Sequence, residues 1–243
     1  ATLISPHFQG KYHKAISFSG GMTLADKAES QDIFATALAP LVVEDGLKAD
    51  EAAAKEWLLT SDQEVEDYLY SLSADRLAPL MGNAGIRMSV FPHLYKDGEV
   101  IPEEGFDTKN YNDVPLLLVT GTSEFSLFTA FDKRFAASVS DGSLFKDENL
   151  LKEFAYAETY GSQLYRLSNT VESARIMTEH YNSPIYISQI SFGDDGTSAP
   201  TVAGLLGAFH GVFEPLLQTP SNYATFIGDD FESAGAKELS KDF

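Results

Sequence analysis

FPHLYKDGEVIPEEGFDTKNYNDVPLLLVTGTSEFSLF, residues 91–128, runs from a loop through a Lys-Asp-Gly turn into the apolar stretch 114–120 and out onto a loop carrying Glu124. An apolar run bounded by turn formers reads as a strand buried on both faces of a parallel sheet. The 23 residues before it, 91–113, have no helical or strand period, and a loop of that length is often functional. A carboxylate just past a buried strand is placed where an acid can orient a histidine.

Working outward from this strand, the chain alternates strand and helix. Residues 12–17 and 184–192 read as two further strands, the first followed by a Ser-Gly-Gly turn and the second by Gly193-Asp194-Asp195-Gly196. Helices are expected over 24–43, with Phe34, Ala37, Leu38, Leu41 and Val42 on one face and Asp45-Gly46 as the stop. Shorter helices follow at 49–59, 62–72 and 73–81, opened by the capping candidates Asp50, Ser61 and Ser73. Others are expected at 125–131, 148–154 and 158–181, the last with Leu164, Leu167, Val171 and Ala174 in step. Residues 1–4 end at Ser5-Pro6, a helix terminus. The alternation predicts an α/β fold built on a doubly wound, mostly parallel sheet. Three parallel strands alone would leave two apolar edges unpaired.

The second chemical signal is GLLGAFHG, residues 204–211, which sets His210 among small residues 86 positions beyond Glu124. Gly207, Ala208 and Gly211 let the backbone come close and present the ring, which suits a general base; a lone histidine is otherwise most often a surface or satisfied core residue. Glu124 has its own bland alternative as an acid stabilised at the start of the helix after it. Ser19, in Ser17-Phe18-Ser19-Gly20-Gly21, is a degenerate nucleophile elbow; a hydrogen bond close to the acid, or plain turn chemistry, competes with that role. Asp194 and Asp195 are rival acids, better explained as a turn. No Gly-x-Ser-x-Gly precedes these residues. No His/Cys/Asp spacing suits a metal, and no glycine-rich loop suits phosphate, so no metal or cofactor is expected. Phe125, Phe128, Phe131, Phe209 and Phe213 surround the candidates in sequence; such residues are more often core, and some could line an apolar pocket.

Composition narrows the partners. Acidic residues number 36 against 17 basic, a net charge of −19 with no basic cluster, which argues against nucleic acid and favours a neutral or cationic small molecule. Hydrophobic residues make up 44% of the 243, enough for a substantial core. No run of 18 apolar residues is present, so no membrane-spanning helix is expected.

Four segments, in order, resemble the type-B carboxylesterase and lipase family, which includes cholinesterases and para-nitrobenzyl esterases. LISPHFQGKYHKAISFSGG (3–21) resembles that family's LLSP…GLFHKAIxQSG, and FPHLYKDGEVIP (91–102) its FxPVxDGxxLP. DVPLLLVTGTSEF (113–125) resembles its vPlliGtxxDEG, and GLLGAFHG (204–211) its GAxHGxE. Two positions depart: Phe125 stands where the family has Gly, and Glu214 lies one place beyond the family's acid. The resemblance implies an α/β-hydrolase fold, with 1–243 as the C-terminal portion of one catalytic domain. It implies a serine carboxylesterase in which Glu124 is the triad acid, His210 the base and Ser19 a neighbour supporting the acid. It places the nucleophilic serine roughly eight residues upstream of Ala1, and reads 231–243 as the start of a last helix. The helices between 24 and 90 and between 145 and 181 would be insertions roofing the site. The implied partners are a small-molecule ester and an N-terminal half of the same protein, without which the chain would be inactive. The absence of cysteine favours a bacterial member of the family, cytoplasmic or secreted. A relative that keeps the fold but serves as a non-catalytic interaction protein is the alternative.

Overall fold

The computed structural model describes residues 1–60, 62–81, 94–194, 205–217 and 229–242. The chain divides into two compact units, Ala1–His7 with Thr23–Thr108, and Phe8–Met22 with Lys109–Phe243. Among the described residues no helix is long and apolar enough to cross a membrane.

The first unit is helical. Helix α1 spans Lys27–Glu44, and its Asp26 cap accepts from the amides of Ala28 and Glu29. It ends at Asp45, and Gly46 takes φ +71°, a conformation open to glycine. Helix α2 is Glu51–Leu58, opened by Asp50 accepting from Ala53 N–H at 2.8 Å. Next come α3, Gln63–Ser71, and α4, Ala74–Leu77, which runs on as a 3-10 turn to Met81. Asp62, not Ser61, is the residue before α3, and Ser61 lies outside the described residues. Ala35, Ala39 and Val42 of α1 pack on Ala54, Leu58 and Val65. The expected face of α1 holds in part: Val42 is buried and Leu38 packs against the core, but Ala35 and Ala39 form the rest of the seam and Phe34, Ala37 and Leu41 are only partly covered, because alanines let the two helices approach closely. Farther on, residues 94–108 form a loop turning on Asp97 and Gly98, with a 3-10 turn at Gly105–Asp107. Phe91, Pro92 and His93 lie outside the described residues.

The second unit holds a three-stranded parallel sheet in the order β1-β2-β3: Ala15–Phe18, Leu116–Gly121 and Ile185–Ile190. Strand β2 is central, with Leu116 paired to Ala15 on one side and to Ile185 on the other. All but one of its residues are buried, as its apolar run requires. Strand β1 begins three residues later than expected. Its ladder opens where the Ala15 amide meets the Pro115 carbonyl, so Tyr12, His13 and Lys14 stay outside it.

Helices α5, Ser126–Phe131, and α6, Ala136–Ser140, precede the long α7, Glu148–Arg166. A single π turn, Leu167–Val171, joins α7 to α8, Glu172–Met177. Residues 148–166 form one helix and not two, since Ala155-Tyr156-Ala157 contains no breaker. The face expected to be buried is also wrong. Leu164, Leu167 and Val171 are exposed, whereas Phe154, Ser162 and Thr170 are covered. Short helices α9, Glu214–Leu217, and α10, Ala234–Leu239, close the unit. The core on this sheet is Val119, Ile190, Leu206, Ala208, Phe209 and Val212. Among the described residues β1 and β3 each pair on one side only, and Ile16, Tyr186 and Ile187 are more than half-way to full exposure or close to it.

Candidate active site

Strand β2 ends at Gly121, and the next residues run alongside Ala208 and Phe209 of the segment 205–211. Ser123 and Phe209 form an isolated parallel bridge, with Ser123 N–H donating to the Ala208 carbonyl at 3.1 Å. That register sets the residues that follow, Glu124 and His210, side by side. Two glycines permit the approach. A Cβ at Gly121 would collide with the Ala208 carbonyl, and one at Gly207, which has φ +53°, would come 2.6 Å from Ser123 Oγ. Asp194 ties the loops from outside, accepting from Thr122 Oγ1 at 2.6 Å and from Ala208 N–H at 3.2 Å. Ser126 Oγ donates to the Leu206 carbonyl at 2.6 Å.

The carboxylate of Glu124 is fully buried, and its two oxygens have different work. Oε2 lies 2.8 Å from His210 Nδ1. Oε1 accepts from Ser19 Oγ at 2.5 Å, Thr120 Oγ1 at 3.0 Å and Gly121 N–H at 2.6 Å. Burial by itself raises the carboxyl pKa. The hydrogen bonds from His210, Ser19 and Gly121 outweigh it, and the net direction is below the ordinary value. Glu124 is thus held as an anion whose remaining acceptor faces one imidazole nitrogen. The other ring nitrogen of His210, in a side chain about one-third exposed, is the one able to serve a reacting group.

Ser19 stands just past β1 with φ +51°, the only non-glycine residue in the left-handed region among the described residues. Its amide donates to the Val119 carbonyl at 2.7 Å, extending the ladder by one step, and its side chain is then aimed at Glu124. Ser19 is buried and hydrogen-bonded to the acid, so it is no exposed nucleophile elbow. Helix α5 has Phe125 at its N-cap position, so the Glu124 carboxylate is bound elsewhere and does not cap that helix.

Phe128 and Tyr165 flank the imidazole, with ring centroids 5.1 and 5.6 Å from it. Phe125 packs against both, Phe213 stacks on Phe18 at 4.3 Å, and Phe209 is core. Phe131 is exposed and no part of the site. Asp194 is used by the loops as described, and Asp195 and Gly204 lie outside the described residues. Among the described residues no group of three or more His, Asp or Glu side chains could hold a metal ion.

Sequence reasoning brought Glu124, His210 and Ser19 forward, and the structure joins all three. It missed Thr120, Gly121 and Tyr165. Thr120 had a visible sign, a hydroxyl at the end of an apolar strand; Tyr165 had none. No protein-family model matches the chain, and no curated protein matches it.

Proposed function

We propose that this chain belongs to a serine carboxylesterase with an α/β-hydrolase fold, of the type-B carboxylesterase and lipase kind, and supplies the acid and base of its triad. The observation that carries this reading is the 2.8 Å contact of His210 Nδ1 with a buried carboxylate whose other oxygen is fully engaged. A carboxylate so fixed sets the tautomer with a proton on Nδ1 and a lone pair on Nε2, and stabilises the imidazolium formed in turnover. The parallel sheet, with the acid and the histidine both on loops beyond strand ends, supports the fold assignment.

In the reaction, a serine hydroxyl attacks the ester carbonyl while His210 Nε2 takes its proton. The tetrahedral intermediate collapses, the alkoxide leaves with that proton, and an acyl-serine remains. Water then attacks the acyl carbon, giving its proton to Nε2, and the serine departs with it as the free hydroxyl alongside the carboxylic acid. The family resemblance is what would have the serine and the oxyanion-hole amides come from an N-terminal half of the same protein, acting as a partner of these residues. The aromatic surround of His210 favours apolar acyl or alcohol groups.

The test uses the protein with its natural flanking sequence, short-chain aryl esters and a fluorophosphonate probe. Hydrolysis is expected, with the probe attached upstream of Ala1, and His210→Ala should cut turnover about 10⁴-fold or more while leaving the fold intact. Label on Ser19 would replace the assigned nucleophile. A folded protein that neither hydrolyses esters nor takes the probe would leave the non-catalytic interaction protein as the better reading.

A further inference from the structure

Helix α7 meets the acid loop along one face. At Gly161 a Cβ would collide with the Phe125 ring, so the missing side chain is what lets the helix come this close to the loop. Ser162 Oγ accepts the Phe125 amide at 2.9 Å and donates to Glu158 at 3.1 Å, fixing the backbone next to Glu124. One turn on from Gly161 stands Tyr165. Its hydroxyl donates to the Ser19 carbonyl at 3.1 Å, and its ring meets the His210 imidazole nearly edge-on, at 74°. From the π turn that follows, Asn169 closes over Gly21, where a Cβ would strike its amide oxygen.

We infer that Tyr165 is a positioning residue for the Glu124–His210 pair, its hydroxyl acting through the backbone of Ser19. A left-handed serine is strained and persists only where its surroundings hold it. Here the Ser19 peptide is pinned on both sides, by its own amide on Val119 and by Tyr165 on its carbonyl. That conformation delivers Ser19 Oγ to Glu124 Oε1 and so leaves Oε2 for the histidine. Burial first, and then the negative charge of Glu124, push the Tyr165 phenol up to about 12, so it remains a donor throughout the neutral range. The consequence for turnover rests on the proposed role of His210 as general base; the consequence for the hydrogen bond does not.

The experiment is a double-mutant cycle with Tyr165→Phe and Ser19→Ala in the protein with its natural flanking sequence. Solvent exchange of the low-field His210 Nδ1–H proton resonance is read alongside kcat and KM for an aryl ester. Tyr165→Phe keeps the ring, so a residue that only packs would leave both readouts unchanged. The inference expects exchange to speed up, and kcat to fall, each roughly tenfold with KM nearly constant, and expects less than about a twofold further change when Ser19 is already alanine. Full additivity of the two substitutions, or indifference of the resonance to Tyr165→Phe, overturns it. Absence of the resonance from the unsubstituted protein sinks the His210–Glu124 pair and this inference together. Altered exchange in a protein without esterase activity upholds the inference and removes only the proposed reaction.

Discussion

Two carboxylates in the stretch 91–128 solve the same local problem with different materials. Asp97 Oδ1 accepts the amides of Glu99, Val100 and Ile101 at 3.0, 2.9 and 2.8 Å. Glu124 Oε1 also takes three donors, but two of them are hydroxyls and one of those, Ser19, is 105 residues away. Both pKa values are driven down, Asp97 chiefly by the Ile101 amide and Glu124 by hydrogen bonds that overcome its burial. Asp97 builds a turn out of its own neighbours and faces water. Glu124 is shut away, so every donor it lost would remain dry and unpaired, and its second oxygen is kept for a histidine. Accepting three hydrogen bonds therefore marks structure in one place and candidate chemistry in the other. The distinction lies in burial and in how far the donors have travelled.

The largest difference expected between the two is in turnover. Glu124→Gln keeps the side-chain shape but offers Nδ1 the wrong partner, and should lower kcat for an aryl ester by on the order of 10³–10⁴-fold. Asp97→Asn should leave kcat unchanged. Equal losses from the two substitutions, measured side by side, would erase the contrast.

Stability comes next. Glu124→Leu orphans the Thr120 and Ser19 hydroxyls and the Gly121 amide in a dry site and should cost about 3–5 kcal/mol by denaturant titration. The pH dependence follows from the depressed pKa. Glu124 stabilises the fold fully above the ordinary carboxyl value of 4.5, and this contribution is lost as pH falls through the lower folded value. Glu124→Gln should flatten that acid limb of the stability curve; a limb of unchanged slope would mean that other carboxylates carry it.

The smallest effect is local. Asp97→Ala should speed hydrogen exchange at Glu99, Val100 and Ile101 and shift the melting temperature only slightly, because the loop's partners lie within four residues. Global destabilisation on the scale of Glu124→Leu would show that Asp97 supports more than its own turn.

The same contrast governs what the sequence disclosed. Asp97-Gly98 is a short-range signal: the acceptor, its donors and the glycine at φ +76° are adjacent, so the turn is readable from composition. Strand β2 was readable because burial on both faces leaves a continuous apolar run, and the alternation of elements gave the parallel sheet. Glu124 and His210 could be singled out through motif resemblance. Tyr165 could not, since it reaches the Ser19 carbonyl only once α7 lies against the acid loop, and Thr120, four residues before Glu124, offered only a hydroxyl at the end of an apolar strand. The face of α7, and all of the α1 face but Leu38 and Val42, were misread for a related reason. Periodicity ranks positions by hydrophobicity, but these helices bury small residues, such as Ala35, Ala39 and Ser162, that allow close approach, and leave larger ones beside or outside the seam.

The π turn at Leu167–Val171 has one more lesson. There the Glu172 amide reaches back five residues, to the Leu167 carbonyl, in place of four. The helical path thus contains one residue beyond what an α-helix of that height would use, and each residue is worth about 100° of rotation. Upstream, the helix is phased so that Gly161, Ser162 and Tyr165 address the acid loop; downstream, it is rephased so that Ser173 and Met177 are buried. Neither phase can be kept if the count changes. A one-residue deletion here would rotate one side of the helix by about 100° against the other and force a choice between the histidine's aromatic wall and the interior packing of Met177, so the residue count of this segment is fixed by what its two ends must face.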